Sequence, residues 1–150
     1  MPKLVLVVAF FLAGCASSRQ PAWPVTPDGR KMESLILWQG DPKSLDSVLA
    51  DPARFEVQGN FYRVKGEFAV FGYPATYLGL IGIDRLAGPN AVLKASPKEI
   101  AASISRQYGC TFENRGGNYR SEIKKHIHVY IVRHPDFQDQ SIVIGSSEVP

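Results

Sequence analysis

Ser96-Pro97-Lys98-Glu99-Ile100-Ala101-Ala102-Ser103-Ile104-Ser105-Arg106-Gln107-Tyr108-Gly109 is the stretch on which the fold turns. Ser96 can accept from the backbone N–H near Glu99 while Glu99 reaches back to Ser96, the reciprocal pattern of a capping box. Pro97 stands at the first helical position, where its missing N–H costs nothing. Ile100, Ala101, Ile104 and Tyr108 fall on one face, and Gly109 supplies a left-handed stop. The spacing predicts a helix over 97–108 with a single apolar stripe, which needs a sheet to lie on.

The flanking sequence alternates as strands do. After the helix, Cys110 to Glu113 opens a sheet section, and Asn114-Arg115-Gly116-Gly117-Asn118 reads as a hairpin loop. Residues 119–133 read as one long strand. Ile123, Ile127, Val129 and Ile131 lie on one side of it, with Lys125 as an interruption, and Lys124, His126, His128, Tyr130 and Val132 lie on the other. His134-Pro135-Asp136 turns the chain, 141–145 is a last strand and 146–150 a polar tail.

Before the helix, Phe55 and Val57 alternate with polar neighbours, and Gly59-Asn60 makes a turn or bulge. Tyr62, Val64, Phe68 and Val70 then share a side, with Gly66 as bulge or turn. Residues 76–83 are the most apolar part beyond the N-terminal run and predict a central strand kinked at Gly79 and Gly82, followed by a turn at 86–90 and a short strand at 90–94. Nearer the start, 34–38 is an apolar run of strand type. Asp41 and Pro42 then open a short helix near 42–50 with Leu45, Val48 and Leu49 on one face. The class is α+β: a mainly antiparallel sheet, one principal helix over about 97–108 packed on one face, and a short helix near 42–50.

The chain has 150 residues and a net charge of +3, with no block of Lys and Arg. That size suits one domain, and the scattered charge excludes nucleic acid as a partner chosen by bulk electrostatics. The first residues are different in kind. Met1 and Lys3 carry positive charge, 4–12 is unbroken apolar sequence, and Leu12-Ala13-Gly14-Cys15 closes it. The run is about nine residues, against the ~20 a spanning helix needs, so it reads as the core of a secretory signal.

Leu12-Ala13-Gly14-Cys15 resembles the lipobox of bacterial lipoproteins, a likeness confined to residues 1–15. The resemblance implies a diacylglycerol on the Cys15 thiol, cleavage just before Cys15, and acylation of the new amino group. Each buried methylene adds ~0.8 kcal/mol, so two or three chains on one residue make a durable hold on the lipid bilayer. Ala16, and not Asp, follows Cys15, which in this family implies the outer membrane and not the inner. The expected organisation is a cleaved signal peptide (1–14), a lipidated tether (15–31) rich in Pro and Ser, and a single α+β domain (32–150). Fully extended, the tether reaches roughly 45–55 Å. Trp23 within it fits an interfacial residue or an aromatic docked on the domain.

Three sets of residues invite chemistry. His126 and His128, at i and i+2 on the expected strand, would project from one face and could share a metal, with His134 or Glu122 as a third ligand. Lys124 and Lys125 beside them oppose a cation. Cys110 with His126 or His128 could form a cysteine hydrolase. Some bacterial lipoproteins are cell-wall peptidases with such a pair, but their Cys opens a helix, whereas Tyr-Gly-Cys-Thr-Phe follows one, where a thiol is not activated. With Cys15 lipidated, Cys110 has no partner for an intramolecular disulfide. Asp84, Glu99, Glu113 and Glu122 are scattered carboxylates, and Phe61 and Phe71 fall on the wrong side of their strands, as a binding patch or a second packed layer. The leading expectation is a non-enzymatic, membrane-anchored lipoprotein of the cell envelope that uses no cofactor and binds an envelope protein. The alternatives are the Cys110 hydrolase and a metal-binding module through His126 and His128.

Overall fold

A computed structural model of the chain describes residues 23–80 and 88–147. The signal segment, Cys15, Ala16, the kink expected at Gly82, Asp84 and the last three residues lie outside the described residues. The expected class is the observed one. Nine strands form one antiparallel sheet: β1 (Phe55–Gln58), β2 (Phe61–Val64), β3 (Ala69–Val70), β4 (Tyr73–Gly79), β5 (Asn90–Leu93), β6 (Glu113–Arg115), β7 (Asn118–Lys124), β8 (Ile127–Arg133) and β9 (Ser141–Ser147). Their order is β1-β2-β4-β5-β9-β8-β7-β6, and β3 pairs with the first residues of β4.

The register places one apolar row under the helices. Tyr62, Leu78, Ala91, Val143, Ile131 and Tyr119 stand opposite one another across β2, β4, β5, β9, β8 and β7. Leu78, Ala91, Val143 and Ile131 are fully buried there. On this row lies α3 (Pro97–Tyr108), in contact with β7 and β8. Its capping box is complete: Glu99 N–H donates to Ser96 Oγ at 3.3 Å and Ser96 N–H donates to Glu99 Oε2 at 2.8 Å. Gly109 closes it at φ 70°. Ile100 and Ile104 are wholly buried, each contributing about 2 kcal/mol by removal from water.

A second helix lies beside it, where the sequence suggested a tether and a strand. Helix α1 (Pro27–Ile36) contains residues 27–31, expected as the end of the spacer, and most of 34–38, expected as a strand. Thr26 caps it by accepting from Gly29 N–H, Pro27 takes the first position, and Met32, Leu35 and Ile36 at i, i+3, i+4 enter the core. The helix sits close enough to β9 that a Cβ on Gly145 would overlap the Ile36 carbonyl. A 3-10 turn (Pro42–Leu45), capped by Asp41, leads into the short α2 (Asp46–Leu49), as expected for 42–50. Leu45 and Leu49 bury their side chains.

A further correction concerns 119–133, which is two strands and not one. β7 ends at Lys124, β8 begins at Ile127, and Lys125-His126 form the turn, with His126 at φ 65°. No Gly, Pro or Asn marks this turn, so period-two alternation continues through it in the sequence. The register slips between Glu122 and Lys124 to accommodate it. The strand expected over 76–83 likewise begins earlier, at Tyr73.

Candidate functional site

The sheet face opposite the helices carries a polar group of side chains at its β6 end. Arg120 on β7 stands opposite Glu113 on β6 and Tyr130 on β8, and Glu122 stands opposite His128. Thr111, Phe112, Glu113, Arg120, Glu122 and His128 line an open cleft of ≈ 430 Å³. His128 is only 5% exposed. Arg120 Nη2 lies 3.0 Å from His128 Nε2. A guanidinium only donates, so Nε2 is the acceptor and carries no proton in this contact. The same guanidinium lies over the Tyr130 ring, 5.6 Å from its centroid. Glu113 is further tied to Arg115 at 3.0 Å. The cleft therefore presents a held arginine between two glutamates, an arrangement suited to recognising a charged, hydrogen-bonding group.

The alternative metal arrangement loses its geometric premise. His126 is exposed in the β7–β8 turn, not on a strand face with His128. His134 follows the far end of β8, about 25 Å from His126 at the rise of a strand, and its Nδ1 accepts from Asp136 N–H at 3.1 Å. Glu122 does meet His128 across the ladder, but Arg120 occupies the imidazole Nε2. Among the described residues, no three His, Cys, Asp or Glu side chains are grouped to hold a metal ion.

Cys110 takes a structural place. It is half-buried against the core, with Sγ 4.0 Å from the Tyr108 carbonyl oxygen at the end of α3. Burial pushes its thiol pKa up, and the negative end of the helix opposes a thiolate as well. The chain brings Thr111 and Phe112, not Cys110, to the cleft that holds His128. Phe71, for which a binding patch or a packed layer stood open, is fully buried in the core, and Phe61 is half-buried on the outer face.

A second polar cluster was not foreseen. Glu33 of α1 is fully buried. It accepts from Phe71 N–H at 2.7 Å, from Arg30 Nη1 at 3.2 Å and from the Tyr108 hydroxyl. Ser103 of α3 donates to the Phe71 carbonyl at 2.6 Å. Phe71 and Gly72 make the two-residue β3–β4 turn with φ of 53° and 85°, a left-handed pair that costs a non-glycine residue. Glu33 and Ser103 clamp that turn from both sides, which gives the cluster a structural role. Its local sequence signal was the acid placed between Met32 and Ile36 on the buried side of α1. Arg120 was missed because its partners lie across two hairpin turns.

Among the described residues no helix is long and apolar enough to cross a membrane. Compared with protein-family models, with curated proteins and with solved structures, the chain matches none.

Proposed function

We propose that the chain is a lipid-anchored protein of the cell envelope that acts by binding and not by catalysis, with its sheet domain facing the periplasm from the outer membrane. The observation that carries this reading is the closeness of anchor and fold. Cys15 ends the lipobox, and Trp23 already donates its backbone N–H to Gly72 of the β3–β4 turn at 2.7 Å. Eight covalent steps separate them, a reach of at most about 27 Å. Any spacer is thus at most about half as long as residues 15–31 suggested, and acyl chains on Cys15 would hold the domain near the bilayer surface.

Binding is favoured over hydrolysis by two placements. The Cys110 thiol has a raised pKa and faces a carbonyl oxygen, and His128 Nε2 is engaged by a cation. The cleft around Arg120 is the contact surface best suited to an envelope protein partner, through a carboxylate or amide of that partner. A photoreactive residue in place of exposed Glu122 should capture an envelope protein in cells, and Arg120→Ala should lower that capture at least about tenfold. Equal capture from exposed Lys98, unaffected by Arg120→Ala, would contradict the assignment.

A further inference from the structure

Helix α1 turns one face to the core and the other to solvent. Pro27, Lys31 and the half-buried Ser34 recur at four and three residues along the solvent side, and Trp38 follows just beyond the helix end. The side chains of Arg30 and Lys31 are 53% and 44% exposed, and that of Arg54, close by, is 40% exposed. Asp28 faces Lys31 at 3.8 Å and Arg54 at 3.3 Å, while Glu33 is buried and satisfied inside. Arg30 also pairs with Glu33 at 3.2 Å and donates to Gln107 at 2.9 Å, while Lys31 and Arg54 share the single surface carboxylate of Asp28, so the three cations exceed their two acidic partners by one. The stripe ends in Trp38, 39% exposed and at φ 56°.

The backbone at Trp38 makes its side chain informative. Gln39 N–H donates to Ser34 O at 2.8 Å and Trp38 N–H donates to Leu35 O at 2.9 Å. This is the Schellman closure, whose left-handed position glycine fills without penalty. Here it holds the largest side chain, in a conformation costly for any residue with a Cβ, and displays an indole that the core does not enclose. A strained, exposed aromatic on a basic stripe points to a contact outside the domain.

We infer that this stripe is a bilayer contact: anionic lipid headgroups meet Arg30 and Lys31, and the Trp38 ring enters the membrane–water interface. The inference rests on the anchor reading above. The short length of chain between Cys15 and Trp23 favours a bilayer over a protein partner. The reach from Cys15 to Trp23 is about 27 Å, whereas α1 is about 15 Å long, so an anchored chain can lay the whole stripe on the membrane. Indole suits the headgroup level, and surface Lys and Arg favour anionic lipid.

The chain from residue 15 onward tests this, carrying Cys15→Ser, Trp23→Phe and a leading hexahistidine tag, held on vesicles through nickel-chelating lipid. Trp38 is then the only tryptophan. On phosphatidylcholine vesicles with about 25% phosphatidylglycerol its emission should shift to the blue, and brominated acyl chains should quench it at least about twofold more than on phosphatidylcholine alone. Lys31→Glu, with an unchanged circular dichroism spectrum, and raised salt should each remove most of that difference. Trp38 emission identical with and without the vesicles would overturn the contact. So would a shift that grows with protein concentration in the absence of vesicles, which would assign the stripe to a second copy of the chain. The tag, and not acylation, holds the chain here, so a null result counts against the stripe alone. A missing palmitate label in cells counts against the anchor alone.

Discussion

Glu33 shows how much one buried side chain carries. Its carboxylate satisfies the Phe71 N–H in a turn that would otherwise be strained and unpaired. Glu33→Ala should therefore cost about 3 kcal/mol in urea unfolding, with the slope against denaturant unchanged. Its partner sets a pH limit. Burial first, and then the bond to Glu33, raises the Tyr108 hydroxyl pKa. The unfolded chain gives up that proton at about pH 10, before the folded chain does. Above pH 10 the folded state binds more protons, and stability falls as pH rises toward the folded value. Tyr108→Phe should flatten that alkaline decline, and a decline of unchanged slope would show that Tyr108 is not its source. The acid between Met32 and Ile36 was the one local sign of this cluster, because Glu33, Phe71 and the α3 residues Ser103 and Tyr108 lie on separate elements that only the fold makes neighbours.

The elements divide by where their defining signals sit. Helix α3 was readable because its cap, stripe and stop all fall within 96–109. Removing one end should show it: Ser96→Ala should cost about 1 kcal/mol, measured by thermal or urea unfolding, and a loss below the error of the method would mean the capping box adds nothing. Helix α1 carries the same kinds of signal, Thr26, Pro27 and the Met32-Leu35-Ile36 spacing, but Pro24, Pro27 and Gly29 gave its start the look of a spacer. The β7–β8 turn had no turn residue to announce it, and joining the two strands put His126 and His128 falsely on one face. The metal alternative came from that single misplacement. The cleft was half legible: His128 was singled out, while Arg120 and Glu113 reach it only through the register of β6, β7 and β8.

Taken whole, the described residues form one sheet with α1 and α3 seated on the same face, and α1 fits closely against β9. Gly145→Ala puts a Cβ against the Ile36 carbonyl, backbone that cannot swing aside. It should destabilise by about 3 kcal/mol or more, whereas the same change at Gly116, in an open turn at φ 63°, should cost only about 1 kcal/mol. Equal losses at the two sites would contradict the packing of α1 on β9.

At this scale the proposal is one of position: a domain engaged from Trp23 onward would be held to a bilayer through Cys15. Intact mass and tandem mass spectrometry of the N-terminal peptide of the mature chain from a Gram-negative envelope test this. The mature chain should begin at Cys15, be heavier by a diacylglycerol and an acyl group, and follow the outer-membrane fraction. In Cys15→Ser the precursor should stay uncut at this site and take up no palmitate. A mature chain that starts elsewhere with an unmodified Cys15 thiol, or a Cys15→Ser chain still labelled by palmitate, would contradict it.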